Sequence, residues 1–177
     1  MEKVLKEILN TVIYLIVVFI LTFLFITFVA QRTEVSGSSM EPTLQDGDSL
    51  LVDKLSYRFG SPKRYDIIIF PYQYGDDQYF IKRVIGLPGE TVRVDYYGYI
   101  YINGNVLDEN YGAEIIEDPG RAETEIKLGE DEYFVMGDNR NHSMDSRDVS
   151  VGNIHKDDIL GKAFIRIYPF STFGGIK

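Results

Sequence analysis

The sequence predicts a mainly β protein, in which one N-terminal transmembrane helix is followed by an antiparallel β-sheet domain. Three observations carry that reading. From Ile8 to Gln31 no side chain is charged, and Val12 to Ala30 is almost wholly apolar. After Gln31 the chain breaks into short apolar or alternating runs separated by turn signals. The 13 Tyr and 11 Phe, with many Val and Ile, favour strands.

The apolar run holds about 20 residues, which at about 1.5 Å each cover a hydrocarbon core of ~30 Å. Only Thr22 and Thr27 interrupt it, so it lacks the polar face of a helix packed on a soluble core. A cleavable signal peptide is the competing reading. Such peptides carry about 7–15 apolar residues and end in an A-x-A-like site. This run is longer, and Phe28-Val29-Ala30 sets a ring where a small residue belongs, which favours a retained anchor. Lys3, Lys6 and the amino terminus precede the run. Arg32 is the close cation after it, ahead of Glu34, Glu41, Asp46 and Asp48. The positive-inside rule then keeps residues 1–7 in the cytoplasm, threads 8–31 through the membrane and exports 32–177.

In the exported part, strands are expected over Ser49–Asp53, Asp66–Phe70, Tyr79–Ile85, Thr91–Asp95, Tyr99–Asn103, Glu132–Met136 and Ile159–Tyr168. Asn103-Gly104 is a hairpin signal, because both residues tolerate positive φ. Leu87-Pro88-Gly89 marks another turn. No repeat or low-complexity tract divides this part, so one β-rich domain is expected.

The net charge of -9 speaks for solubility. Asp76-Asp77, Glu117-Asp118 and Asp157-Asp158 read as solvated surface. No basic stripe with interleaved aromatics points to nucleic acid as a partner. The absence of Cys excludes thiol nucleophiles, disulfides and thiolate metal sites. With His142 and His155 the two histidines and no H-E-x-x-H, neither a metal nor an organic cofactor is expected. Asp138 to His142 is polar but lacks the glycine and spacing of an EF-hand loop.

Three segments have the residue types for nucleophilic catalysis. Ser36-Gly37-Ser38-Ser39-Met40-Glu41-Pro42 is either an ordinary turn cluster or a stiff loop presenting Ser39 near the bilayer. Lys82 stands in the apolar run Tyr79-Phe80-Ile81-Lys82-Arg83-Val84-Ile85. Alternation sends it to the face of Phe80 and Val84, and Arg83 to the face of Ile81 and Ile85. It is either a snorkelling edge lysine or a desolvated amine that serves as a base. Met136 to Arg147 is either an Asx-rich loop held by ion pairs or the source of a hydroxyl that orients the base.

Together and in this order, four stretches resemble the type I signal peptidases, membrane-bound Ser–Lys proteases. They are Gly37 to Leu44, Arg64-Tyr65-Asp66-Ile67-Ile68-Ile69-Phe70, Ile81 to Gly89 and Gly137 to Arg147. The resemblance implies an antiparallel β domain whose apolar surface rests on the membrane. It implies Ser39 as nucleophile and Lys82 as its neutral general base. Ser143 would hydrogen-bond the lysine, while Asp138, Asp145 and Arg147 brace the site. The Ser39 backbone N–H would serve the oxyanion. Where Gram-negative members carry a serine donor this chain has Gly37, as Gram-positive-like members do, leaving Ser38 or Ser36 as possible substitutes. Asn141-His142 replaces the family's usual Asp-Asn, which keeps Ser143 in register. The implied partners are exported preproteins with small residues at the first and third positions before the cut, the lipid bilayer, and a nearby secretion translocon.

Other readings compete. A self-cleaving Ser–Lys repressor-type protease would carry a DNA-binding domain and an Ala-Gly site, and neither is here. A triad of Ser39 with His142 or His155 leaves Lys82 without a role. An anchored binding module or inactive homologue would be expected to lose Ser39, Lys82 or Ser143, and all three are present.

Overall fold

The computed structural model describes residues 2–75 and 78–176, and the side chains of residues 25–28 lie outside the description. The expected solvated pair Asp76-Asp77 falls outside it too. Helix α1 runs Glu2–Phe28, about 40 Å at 1.5 Å per residue. It is long and apolar enough to cross a membrane, and its apolar window is not buried against the rest of the chain.

The helix stops three residues earlier than the apolar run predicts. Strand β1, Ala30–Glu34, takes up the chain at once and pairs antiparallel with β2, Ser49–Asp53, from Ala30 opposite Asp53 to Glu34 opposite Ser49. The end of the apolar run is therefore a sheet edge, with Ala30 buried. β2 also pairs with β11, Gly161–Tyr168. Next come β3, Ile67–Pro71, and β4, Tyr79–Gly86. Beyond β4 lie β9, Glu132–Met136, and β10, Ile154–His155. Among the described residues the order across this sheet is β1-β2-β11-β3-β4-β9-β10, and β12, Gly174–Gly175, pairs with β11.

A second sheet is built from β5, Thr91–Val94, β6, Ile100–Ile102, β7, Asn105–Val106, and β8, Ile126–Lys127, in the order β7-β6-β5-β8. Its hairpin turns at Asn103 and Gly104, with φ 51 and 77, the positive values expected of that pair.

Strand β3 explains why the main sheet has its core here. Ile67, Ile68, Ile69 and Phe70 are all buried, so the strand is covered on both faces and reads as one continuous apolar run. Ile67 and Ile69 pack with Leu50, Val52, Met40 and Leu44, whereas Ile68 and Phe70 pack with Val84, Tyr133 and Val135. Each fully buried side chain of this kind contributes about 1.5–3 kcal/mol. A short helix α2, Ser56–Phe59, follows β2.

Gly161 begins β11 where a Cβ would run into the Asp53 carbonyl oxygen and the Val52 side chain. Backbone cannot yield as a side chain does, so Gly161→Ala should cost about 1–3 kcal/mol. Gly104→Ala, at φ 77 with nothing near its absent Cβ, should cost about 1–2 kcal/mol of left-handed backbone strain without a clash. Urea unfolding of the two variants in detergent, followed by tyrosine fluorescence, checks both magnitudes.

Candidate active site

Ser39 stands in the loop between β1 and β2, and that loop is stiff for local reasons. Val35, Met40 and Leu44 are buried in the cluster under β2 and β3, pinning it at three points. The Val35 N–H donates to the Asp48 carbonyl at 2.8 Å and the Gly47 N–H donates back to Val35 at 2.9 Å, closing the loop's base. Gly37, at φ 94, turns the chain and donates its N–H to the Asp46 carboxylate at 2.8 Å. A side chain at that φ is strained, which gives glycine a backbone reason to be here.

Lys82 comes from β4, opposite Ile68 of β3. Its Nζ donates to Ser39 Oγ at 2.8 Å and to the Ile81 carbonyl at 3.1 Å. It lies 4.9 Å from the centroid of the Phe80 ring, the neighbour that alternation predicts. The residue is 4 % exposed. Burial lowers the amine from 10.5 to about 8, against the opposing pull of the Asp145 and Asp138 carboxylates.

Arg83, the next residue, points the other way into a fully buried ion pair. Its Nε and Nη2 donate to the two Asp138 oxygens at 2.8 and 2.7 Å, and Nη1 donates to the Tyr65 carbonyl at 2.9 Å. The Tyr111 ring lies 3.7 Å from the guanidinium carbon. Thr43 Oγ1 also donates to Asp138, at 2.5 Å, tying the serine loop to the same carboxylate.

The loop after β9 closes the site from the other side. Asp145 takes Arg147 Nε and Nη2, both at 2.9 Å, and the Gly137 N–H at 3.0 Å. Arg140 donates Nε to the Gly137 carbonyl at 3.0 Å and Nη1 to Glu109 at 2.7 Å. Asn139 donates its N–H to the Ser39 carbonyl and its Nδ2 to the Ser38 carbonyl, each at 3.1 Å. Gly137 has no room for a side chain, because a Cβ would collide with the Ser143 hydroxyl on one side and the Ser39 carbonyl on the other.

Of the site residues expected from the sequence, Ser39, Lys82 and Ser36 line one cavity of about 600 Å³, whereas Ser143 and Arg147 line a separate one. Asp138 and Asp145 are each locked to an arginine. Ser143 departs from expectation: its Oγ is buried but has no hydrogen-bond partner among the described residues, and the lysine bonds to Ser39 and Ile81 instead. Ser36 is on the cavity wall, whereas Ser38 is exposed and engages through its carbonyl. His142 is exposed. Sequence reasoning missed Arg83, Thr43 and Asn139. Arg83 carried a signal, because a cation in a central apolar strand must find a buried partner.

Residues 7–168 match the family described as signal peptidase, peptidase S26. The chain is 43% identical to a probable signal peptidase I-2 of Synechocystis sp., covering 84% of this chain and 67% of that one. It is 34% identical to signal peptidase IB of Staphylococcus aureus, covering 95% of this chain and 93% of that one. A crystal structure of a signal peptidase I from Enterococcus faecalis is similar with TM-score 0.46 and 35% identity, over 57% of this chain and 95% of that one.

The buried Arg83–Asp138 pair sets a stability test. Removing one partner strands the other charge in the core, at a cost of about 3–5 kcal/mol. Arg83→Met should therefore destabilise the protein by that amount, and Arg83→Met with Asp138→Leu by clearly less. Denaturant midpoints for the two variants measure the difference.

Proposed function

The chain belongs to the peptidase S26 signal peptidases, and from that premise we propose that it removes N-terminal signal peptides from exported preproteins with Ser39 as nucleophile and Lys82 as general base. The observation that carries the residue assignment is the 2.8 Å contact between Ser39 Oγ and a buried amine lowered to about 8. In the neutral amine that hydrogen bond reverses, and the hydroxyl donates to the nitrogen lone pair. As Oγ attacks the scissile carbonyl carbon, its proton passes to Lys82 Nζ. The carbonyl oxygen becomes an oxyanion, which the Ser39 N–H stabilises. That N–H makes no other hydrogen bond among the described residues, and the Ser36 hydroxyl on the cavity wall is a candidate second donor. Collapse breaks the C–N bond, and the leaving amine takes the proton from the lysine. The acyl group stays on Ser39. Water then attacks the ester, again giving its proton to Lys82, and Ser39 is released when that proton returns to Oγ.

Asp138, Asp145 and Arg147 hold the frame of this arrangement. Ser143 completes it by rotating its unpartnered hydroxyl to the lysine, where it fixes the lone pair toward Ser39. Small residues at the first and third positions before the cut are the substrate preference that family membership supports.

The protein is anchored in the membrane. The proposed topology keeps residues 1–7 in the cytoplasm, because Lys3 and Lys6 precede α1, and exports the catalytic domain that begins near residue 32. With β1 starting at Ala30, the sheet begins where the helix ends, so the catalytic serine stays close to where a signal helix leaves the bilayer and to the translocon that delivers it. Sharing the membrane plane with the substrate raises the effective concentration of the pair.

Detergent-solubilised protein should cut a preprotein and Ser39→Ala should not, with the new amino terminus mapped by mass spectrometry. Lys82→Arg should be inactive although it keeps the charge, since a guanidinium does not give up its proton. The neutral fraction of an amine near 8 is about a tenth at pH 7 and about nine tenths at pH 9, so single-turnover kcat/KM should climb along a limb centred near pH 8. A profile flat from pH 6 to 10 contradicts the assignment of the base.

A further inference from the structure

Two stretches of chain face each other across the catalytic cavity. One is the end of β1 and the residues after it, Thr33 to Ser36, and the other is the start of β4, Tyr79 to Lys82. Among the described residues that line the cavity, Glu34 and Lys82 carry the ionisable charge. Their situations are opposite. Lys82 is buried and lowered toward neutrality, whereas Glu34 is exposed and has neither an ion pair nor a side-chain hydrogen bond among the described residues. The carboxylates that raise the lysine, Asp145 and Asp138, are each paired with an arginine. Arg32, two residues before Glu34 on the same strand, is engaged with the Ser49 hydroxyl at 3.0 Å. Glu34 is thus a carboxylate left unpaired on the wall of the cavity the substrate enters.

Resting on the peptidase reading above, we propose that Glu34 is a specificity-determining residue that favours substrates carrying a basic side chain close to the cleavage site. An extended chain advances at most about 3.4 Å per residue, so the five steps from Glu34 to Ser39 keep their Cα atoms within about 17 Å of each other. An extended substrate bound at Ser39 therefore passes Glu34 no more than about five residues from the scissile bond. Low-dielectric walls concentrate the field of a charge in a cleft, and an accessible pair of this kind changes binding by about two- to fivefold. The contact forms as the substrate seats, before any charge develops at the reacting carbonyl, so it acts through KM more than kcat.

The test uses preproteins that differ at one residue, with Lys, Gln or Glu scanned one position at a time through the five residues on each side of the cut. Wild-type protein should show kcat/KM in the order Lys, Gln, Glu at one position or two neighbouring ones, with Lys over Glu by about threefold or more. Glu34→Gln should bring the three together and Glu34→Lys should reverse their order. Sodium chloride at about 0.5 M should shrink the wild-type spread, because an exposed pair is screened. Equal cleavage of the three at every position, or a Lys preference that survives Glu34→Gln, overturns the inference alone. Cleavage of the Gln substrate by wild type and not by Ser39→Ala reports separately on the peptidase reading, and its absence overturns both.

Discussion

The proposed mechanism requires an amine to lose its charge beside two carboxylates, and the residues around Lys82 bear on that conflict. Desolvation pulls Lys82 down to about 8, while Asp138 and Asp145 push it up. Left alone, two buried carboxylates near a lysine would hold it protonated. Each is instead committed to a guanidinium, Asp138 to Arg83 and Asp145 to Arg147, in bidentate pairs of 2.7 to 2.9 Å. The carboxylates still raise the amine, and burial outweighs them. The same carboxylates keep a structural use, since Asp138 holds Thr43 of the serine loop and Asp145 holds the Gly137 N–H.

Strand β4 is where fold and chemistry meet. Its alternation gives consecutive residues opposite surroundings, so Lys82 lies by Phe80 while Arg83 enters the buried pair. Its pairing with β3 begins at Tyr79, whereas its pairing with β9 begins at Arg83, so the stretch that carries Lys82 has an open flank toward the cavity. Asn139 then staples the serine loop to the loop after β9 through two carbonyls. The Ser39–Lys82 distance is set by strands and short clamps, which is how a serine 43 residues away in sequence stays within hydrogen-bond reach of the lysine.

Much of this was readable from local pattern. β2 and β9 run Ser49–Asp53 and Glu132–Met136, as alternation predicts, and the Asn103-Gly104 turn follows from two residues that accept positive φ. β1 was hidden, because Ala30 and Gln31 end an apolar run and their pairing with β2 is a long-range fact. β8, β10 and β12 have two residues each, too few to display a period. In the site, the motif order carried Ser39 and Lys82 together with the ionic residues around them. The partners of Asp138, at separations of 55 and 95 residues, have no local signature. The Ser143 hydroxyl shows the limit most directly: its place in the motif is clear, yet the motif does not say that its Oγ lies buried with no partner among the described residues.

The account is tested most directly by titrating one amine. Protein labelled with carbon-13 at the lysine ε position, with the Lys82 signal assigned by its loss in Lys82→Met, reports the protonation of that nitrogen without any substrate. A midpoint near 8 is the result predicted. A midpoint at the ordinary lysine value of about 10.4 would contradict it, because the amine would then be charged throughout the working range and unable to take the proton of Ser39.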